Sequence, residues 1–563
     1  MAEERKYKGI YQSENGTWYY RIKKVHSKGE KPKYYEKGGF VTQGEAFQAR
    51  QTRLQIETVG IDTWTGDKIS YEKSDFTGMT FEDYFMEFLK SVKSAEKYQS
   101  LYDAQLKIWT ERDITTITDG EVEILLLRLS LMGKKQSYIT SFRNMLKRFF
   151  KFARHLNSGV RPVAQFISKE PYKLRVLSLF SGIGAPEQAL KELKEEIGLD
   201  YKLVGYCEWD DKASYAYSLL HNVDLSCDYC DVENLDFESC KQCVPDFDLL
   251  IFGSPCQDFS SQGKRKGFFD PEHKRECLEL RAKHEAKKKG IKYKKGQITE
   301  EIKIPELYDF ADLYYDRVDA EILSRSGLIY RAVQIILWKN PKFVVVENVS
   351  SLMGEKFKEG FDSIITIIQS AGYNVYYHKF NSLEFNVPQN RSRLFMVFVR
   401  DDLKLSYIFP EPLISIREAK SGITQTNSDK CEKAIDWFFK EVADEYYFSA
   451  NDAEKLEEEI KERKSYIPNL RENYISCITT TIGQGDTRIR RTIVKDNKGF
   501  RRLSSEELMK FQGFPPEYGT LLRNNGYTEE EVGSLVGNSI TVPVIKAILK
   551  SIVDCITDPI PFY

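Results

Sequence analysis

Long hydrophobic runs are missing from this sequence of 563 residues. No apolar stretch approaches the roughly twenty residues that a helix needs to cross a bilayer, which argues against a helical membrane protein. The opening residues MAEERKYKG are charged and no apolar segment follows them, unlike a secretory signal. We therefore expect a cytoplasmic protein. In that reducing compartment the ten cysteines are expected to be thiols, metal ligands or a nucleophile rather than disulfides.

Net charge is also nearly absent, with 83 Lys and Arg against 84 Asp and Glu. This balance excludes no partner, because a basic face can be offset by acidic surface elsewhere. Within residues 1–55 basic residues outnumber acidic ones, a bias typical of phosphate contacts. Internal repeats and low-complexity tracts are lacking as well. The length exceeds what one hydrophobic core supports and predicts two to four domains.

Residues 1–65 carry short aromatic runs, namely KYKGIYQ, TWYYRIKK and PKYYEKGGF. Asn15-Gly16 separates the first two and predicts a hairpin turn. The polar segment GEAFQARQTRLQIE follows and is typical of a helix. We therefore expect a small α+β domain with a three-stranded sheet and one helix.

Residues 77–157 are expected to form an all-α domain. Thr80 and Asp119 are candidate N-caps, Gly133 is a candidate helix end, and Ser137 is a candidate helix start. Phe, Leu and Met recur at helical spacing through this region, and we interpret them as core.

From Arg175 onward compact apolar runs alternate with helical stretches, a pattern typical of an α/β domain with a parallel sheet. These runs are RVLSLF, YKLVGYCEW, DFDLLIFG, KFVVVENV and RLFMVFV. A charged insertion, 264–325, interrupts the alternation. It is interpreted as a solvated helix and loop, with a DNA-contacting lobe as the alternative.

The first strand runs into a glycine turn, FSGIG, where the backbone can approach a ligand closely. The next strand ends in Cys207-Glu208-Trp209-Asp210, which places an acidic residue where ribose hydroxyls bind in dinucleotide folds. The GxGxxG pattern of pyrophosphate binders is absent. This favours S-adenosylmethionine over NAD, although a Rossmann-like turn for another ligand remains the alternative.

Three later strands end in reactive side chains. Cys256 follows DFDLLIFG, Glu347 and Asn348 end FVVVENV, and Arg391 and Arg393 precede LFMVFV. Open α/β sheets bind substrates at this edge. Each residue alone could be structural, as buried cysteines usually are. Together a thiolate, a carboxyl group and two guanidiniums predict attack on an electron-poor ring.

With these segments in this order, residues 174–555 resemble the DNA cytosine-C5 methyltransferases. The matching segments are FSGIG, CEWD, Asp231, GSPCQDFS, RSGLIYRAVQII, ENV, QNRSR, RRLSSEELMKFQGFP and SLVGNSITVPV. The resemblance implies a Rossmann-like S-adenosylmethionine-dependent methyltransferase fold. It also implies a catalytic domain over 174–400, a small target-recognition segment over 400–495, and a return to the catalytic domain over 496–555.

The resemblance also implies roles for individual residues. Cys256 adds to cytosine C6, Glu347 hydrogen-bonds N3 and the exocyclic amine, and the target base is flipped out of the duplex. Arg393 reads the cytosine O2 and is expected to lower the pKa of Cys256, whereas Arg391 orders the nucleophile loop. The run Gln262–Gly267 resembles the mobile loop that closes over DNA. The implied cofactor contacts are Phe180, Ser181, Gly182, Ile183, Gly184, Glu208, Trp209, Asp231, Pro255, Leu328 and Asn538.

Two other functions stay open. A tRNA cytosine-C5 methyltransferase would have the same fold, but that branch usually shows Cys-Phe-Thr where this chain has Cys256-Gln257-Asp258. A catalytically inactive DNA-binding regulator is the other, against which the complete catalytic set argues. The resemblance implies a monomeric, sequence-specific modification enzyme of a bacterium or phage, acting on double-stranded DNA. It leaves the target sequence and an accompanying restriction endonuclease open.

Cys227-x2-Cys230 and Cys240-x2-Cys243 depart from the family, which needs no metal there. Paired CxxC elements can hold zinc, yet the spacer is short and Asp231 inside it has a cofactor to reach. We expect no metal, with structural zinc as the alternative.

The region 1–65 resembles the AP2-like arm-binding domain of phage and transposon integrases, through GIYQSENGTWYYRI, and 77–157 resembles their helical core-binding domain. Unrelated small basic folds are the alternative. None of the six histidines begins a His-x-x-Arg, and the chain enters the methyltransferase-like region at Arg175. Recombinase activity is therefore excluded.

Overall fold

The computed structural model describes residues 10–12, 18–23, 34–40, 79–157, 159–160, 173–256, 259, 268, 310–315, 325–421, 432–462, 473–480 and 493–558. They form two compact units. The first contains the described residues of 10–126 and 135–160, and the second contains 127–134 and those from 173 onward. Within these ranges, no helix combines the length and the apolar character needed to traverse a bilayer.

An antiparallel sheet of three strands opens the first unit. Its strands are β1 (Ile10–Gln12), β2 (Trp18–Lys23) and β3 (Tyr34–Phe40), in the order β1-β2-β3. Tyr11 lies opposite Tyr19, as the predicted hairpin requires. The three-stranded sheet is thus confirmed, while Asn15-Gly16 and the segment GEAFQARQTRLQIE lie outside the described residues.

Four helices follow, and their boundaries mostly agree with the predicted ones. They are α1 (Phe81–Lys90), α2 (Ala95–Gln105), α3 (Asp119–Leu131) and α4 (Gln136–Leu156). Thr80 is confirmed as an N-cap, because its side chain accepts the Asp83 N–H at 3.3 Å and the Asp83 carboxylate accepts the Thr80 N–H at 2.8 Å. Gly133 follows α3 at a φ of +71°, the left-handed conformation expected just after a helix.

Two other boundary predictions were wrong by one residue. Thr118, not Asp119, caps α3, because its hydroxyl accepts the Glu121 N–H at 3.1 Å and Glu121 accepts the Thr118 N–H at 2.9 Å. A threonine with a glutamate three residues later satisfies two helix-end N–H groups at once. Ser137 does not open α4, whose N-cap is Lys135 without a side-chain cap.

Aromatic rings fill the core of these helices. Phe81 is fully buried, with the Phe149 and Trp109 ring centroids at 5.0 and 5.3 Å in edge-on arrangements. Such pairs stabilise a core by about 1 kcal/mol beyond the area they bury. The interpretation of these positions as core is confirmed.

The second unit is built on a six-stranded sheet in the order β5-β4-β6-β7-β10-β8. Its strands are β4 (Leu174–Leu179), β5 (Tyr201–Cys207), β6 (Leu249–Gly253), β7 (Phe343–Val349), β8 (Tyr373–Asn381) and β10 (Ser392–Arg400). The first four are mutually parallel, as predicted. The prediction was wrong for β10, which runs antiparallel to both β7 and β8. The link between β8 and β10 is too short for a helical crossover, so the chain turns back.

Helices cover the sheet and the remaining strands are short. The helices are α5 (Ala185–Ile197), α6 (Asp211–His221), α7 (Phe237–Cys243), α8 (Phe310–Tyr314), α9 (Ile329–Lys339), α10 (Lys358–Ser370), α11 (Ile416–Ser421), α12 (Ala434–Trp437), α13 (Ala450–Glu462), α14 (Ser505–Gln512), α15 (Glu517–Asn524), α16 (Glu529–Asn538) and α17 (Val542–Thr557). The short strands are β9 (Gln389–Asn390), β11 (Ile475–Ser476), β12 (Ile493–Lys495) and β13 (Phe500–Arg502).

A buried ion cluster fixes the amino ends of the central strands. Asp248, just before β6, accepts from Lys342 Nζ at 2.7 Å and from Arg175 Nε at 2.9 Å. The opposite, carboxyl ends of β4, β6 and β7 consequently share one edge, where the predicted site residues lie.

Candidate active site

A cleft opens at the carboxyl ends of β4, β6 and β7. Its lining consists of Ser178, Leu179, Phe180, Ser181, Gly182, Ala185, Pro186, Phe252, Gly253, Glu347, Asn538, Ser539 and Ile540. Five of the residues predicted from the sequence therefore meet here, four as cofactor contacts and Glu347 as a catalytic group.

The glycine turn wraps tightly around the end of β4. Phe180, Gly182 and Gly184 all have positive φ, at 51°, 54° and 74°. At Gly184 a Cβ atom would lie 2.2 Å from His221 Nε2, so a side chain is excluded there. The same His221 nitrogen lies 2.9 Å from the carbonyl oxygen of buried Ile183. Ile183 and Gly184 thus pack against His221 and are not among the residues that line the cleft.

Glu208 ties the end of β5 to this turn. Its buried carboxylate accepts the Gly182 N–H at 2.8 Å and the Asp210 N–H at 3.0 Å. Burial raises the pKa of Glu208 above its usual value. A fixed acidic acceptor beside a glycine turn suits the ribose hydroxyls of S-adenosylmethionine, so the residues fit that cofactor.

The remaining predicted cofactor contacts are not part of the lining of this cleft among the described residues. Trp209 is 56% exposed, and the Arg325 guanidinium lies 5.2 Å from its ring centroid. Leu328 closes the helical turn that begins at Arg325. Asp231 accepts the Glu233 N–H at 3.0 Å and caps a short turn. Pro255 precedes Cys256 at the end of β6.

The cysteine loop is anchored to β7. Asn348 is fully buried and donates from Nδ2 to Ser254 Oγ at 2.9 Å, two residues before Cys256. Gly253 pairs with Glu347 in the parallel register, and a Cβ atom at Gly253 would lie 3.2 Å from the Glu347 carboxylate. The missing side chain therefore lets the cysteine loop start beside the acid.

An ion pair joins Glu347 to Arg393, with Nε and Oε1 2.9 Å apart. Burial raises the pKa of the Cys256 thiol, and the positive charge of Arg393 opposes this most strongly. Arg393 and Arg391 thus act on the pKa of Cys256 in the expected direction, but the expectation of a lowered pKa is wrong, because the net shift is upward. The charges are present as predicted, but loss of solvent around the sulfur outweighs them.

Arg391 makes contacts other than those predicted. It is 3% exposed and donates to the carbonyl oxygens of Ile478 at 3.0 Å, Gly537 at 3.2 Å and Ser539 at 2.7 Å. Its hydrogen bonds thus join the segment after β11 to the end of α16, and none of those to described residues reaches the stretch from Ser254 to Cys256. The run Gln262–Gly267 and most of the 264–325 insertion lie outside the described residues.

Cys477 is a site residue that the sequence analysis missed. β11 pairs in parallel with β9, with Ile475 beside Gln389, and this register places Cys477 next to Arg391. Its sulfur lies 3.4 Å from Arg391 Nη1 and 3.9 Å from Arg393 Nη2. No motif marks the position, because a two-residue strand pair creates the contact.

One of the four cysteines in the two CxxC pairs differs from the others in its environment. Cys240 is buried, and burial raises its pKa to about 11, whereas Cys227, Cys230 and Cys243 are exposed. Within the described ranges, no three His, Cys, Asp or Glu side chains are grouped so as to hold a metal ion. Zinc at these cysteines therefore stays a hypothesis without support from the geometry.

A family model described as C-5 cytosine-specific DNA methylase matches residues 174–278 and 320–554, more than half of the chain. The protein belongs to this family.

Similar proteins include the orphan methyltransferase M.SPRI of Bacillus phage SPR, 34% identical over 231 residues, which are 41% of this chain and 39% of that protein. Type II methyltransferase M.Bsp6I of Bacillus sp. (strain RFL6) is 27% identical over 385 residues, 67% of this chain and 98% of that protein. The match thus spans less than half the length of the first curated relatives, but nearly all of M.Bsp6I. Among solved structures, S. pombe Dnmt2 methyltransferase matches with a TM-score of 0.45 and 18% identity, covering 68% of this chain and 98% of that one.

Proposed function

We propose that this protein transfers a methyl group from S-adenosylmethionine to carbon 5 of cytosine in duplex DNA. The observation that carries the proposal is the position of Cys256, at the end of β6 beside the Glu347–Arg393 ion pair. Membership of the cytosine-C5 methylase family supports it.

Phe180, Gly182, Glu208 and Asn538 would hold the cofactor, with Trp209, Asp231 and Leu328 at its periphery. When bound, S-adenosylmethionine supplies a methyl group on a positively charged sulfur, ready for attack by a nucleophile. Glu208 already fixes the backbone of the glycine turn, so little has to move when a ribose binds.

The side chains of this protein would make the cytosine ring reactive. Cytosine C5 is a poor nucleophile, and a bond from Cys256 Sγ to C6 turns the ring into an enamine with electron density at C5. Glu347 would hydrogen-bond N3 and the exocyclic amine, where negative charge would otherwise build up. Arg393 would hold Glu347 and contact O2. After methylation a base takes the C5 proton, and the electron pair of that C–H bond expels Cys256 from C6 as a thiolate, which restores the free nucleophile.

The target base must leave the helix to reach Cys256, which costs a few kcal/mol. We propose that 400–495 reads the DNA sequence and that the basic, aromatic sheet of β1–β3 contacts DNA as a separate arm. The enzyme would act as a monomer in the cytoplasm of a bacterium or of a phage-infected cell, with or without a partner endonuclease.

Tritiated methyl transfer to duplex DNA and to tRNA tests the proposal. Transfer to DNA alone supports it, transfer to tRNA alone supports the RNA enzyme, and no transfer supports an inactive regulator. Duplex DNA with 5-fluorocytosine should trap the wild type covalently, because C5 then has no removable proton. Cys256→Ser should form no adduct while still binding DNA, and bisulfite sequencing of DNA from expressing cells would give the target.

A further inference from the structure

The sulfur of Cys477 lies between two guanidiniums. Arg391 Nη1 donates to it at 3.4 Å and Arg393 Nη2 at 3.9 Å. Arg393 in turn is paired with Glu347. Cys477 thus belongs to the group of side chains that surrounds Cys256, although it lies far along the chain.

The charges around Cys477 indicate what its sulfur does. Arg391 and Arg393 bring two positive charges into a buried region, and Glu347 offsets one of them. The pKa of Arg391 is lowered, first by burial and then by the charge of Arg393, so the two cations repel each other. An acceptor between them relieves that repulsion. Burial alone would raise the pKa of Cys477, but both arginines outweigh it and the pKa is lowered.

We propose that Cys477 is a positioning residue whose sulfur holds Arg391 and Arg393 side by side, so that Arg393 stays on Glu347 beside Cys256. Without this acceptor the guanidinium of Arg393 would turn away from its neighbour and release Glu347. This inference rests on the proposed methyl transfer.

The pH dependence of the reaction distinguishes positioning from packing. The groups that act on Cys256 are Arg391, Arg393, Glu347 and Cys477, and negative charge on Cys477 raises the pKa of Cys256. A serine at 477 keeps an acceptor for the arginines but carries no charge. Because Cys477→Ser removes that negative charge, it should lower the pKa of Cys256, so that Cys256 ionises at lower pH.

The test is single-turnover methyl transfer by the full chain to duplex DNA, from about pH 6 to pH 10, for wild type, Cys477→Ser and Cys477→Ala. Cys243→Ser is the matched control, because it changes an exposed thiol away from the arginines. For Cys477→Ala we expect a loss of about tenfold, the scale of a lost hydrogen bond to a charged group, with unchanged cofactor affinity. Cys477→Ser should keep the rate within about threefold, with the rising limb displaced to lower pH.

Two results would overturn the inference. One is an alanine variant with the rate and pH profile of wild type. The other is equal losses in both variants with no displacement of the rising limb, which would mean that the sulfur only fills space. If the alanine variant does not fold, the inference is tested by whether the rising limb of the pH–rate profile moves to lower pH in Cys477→Ser. Wild type without activity on DNA would refute the proposed function itself, whereas active wild type with unaffected variants refutes only the role of Cys477.

Discussion

Replacement of Glu187 by glutamine should remove a pH-dependent loss of stability. Glu187 lies in the first turn of α5, behind the glycine turn, and is only 4% exposed. Within the described part of the chain neither carboxylate oxygen has a hydrogen-bond partner of normal geometry. Burial raises its pKa from 4.5 to about 7, against weaker opposing contributions from its own backbone, Ser178 and Tyr217.

The sign and size of the effect follow from proton binding. Below about pH 4.5 the carboxyl group is protonated in both the folded and the unfolded chain, so it adds no pH dependence. Between that pH and about 7 the unfolded chain releases the proton while the folded chain keeps it, and the free energy of unfolding falls. The total loss by pH 8 is on the order of 3 kcal/mol.

Urea unfolding of the full chain at intervals from pH 5 to pH 8 measures this loss. Glu187→Gln should be less dependent on pH than wild type, and the difference in free energy between them should grow by up to about 3 kcal/mol across the window. Glu195→Gln, on the exposed side of the same helix, is the control and should follow wild type. A difference that stays constant with pH, or that shrinks as pH rises, would refute the reasoning.

Four further outcomes are expected. Glu347→Gln should slow single-turnover methylation by about two orders of magnitude with little change in cofactor affinity, and a near-normal rate would assign N3 protonation to another group. Because burial raises the pKa of Cys256 and Arg393 opposes this, wild-type rates should rise above neutral pH, and Arg393→Gln should move that limb to still higher pH. Metal analysis should find no stoichiometric zinc, and one zinc per chain that is lost on Cys240→Ser would contradict this. A fragment from about residue 170 should keep the chemistry but bind DNA with a shallower salt dependence, by roughly one unit of slope for each lost phosphate contact, and identical slopes would argue against a DNA-binding arm.

The sequence predicted the parts of the fold that follow from local pattern. The runs that became β4, β6 and β7 are apolar almost throughout, as strands buried on both faces must be. β8 escaped notice because it is an edge strand with an exposed middle, from Tyr377 to Lys379, and lacks such a run. Without β8, nothing in the sequence indicated that β10 would reverse.

The sequence predicted those site residues that belong to recognisable motifs. It did not predict properties that depend on burial from solvent or on contacts between residues far apart in the chain. The neighbours of Cys256 were predicted from the ends of strands. The direction of its pKa shift was not, because the charged residues in a sequence do not show how deeply the thiol is buried. Cys477 is 86 positions from Arg391 and gave no signal of its own.

The hydrogen bonds of Arg391 have a consequence for engineering the specificity of this protein. They connect the catalytic strands to Ile478, inside the segment 400–495 that we propose for DNA recognition, and to the loop after α16. A chimera that receives a foreign recognition segment should therefore be joined before residue 473. The native residues 473–480 would then keep their hydrogen bonds with Arg391. The foreign segment would change which bases are recognised, and the catalytic residues would keep their arrangement.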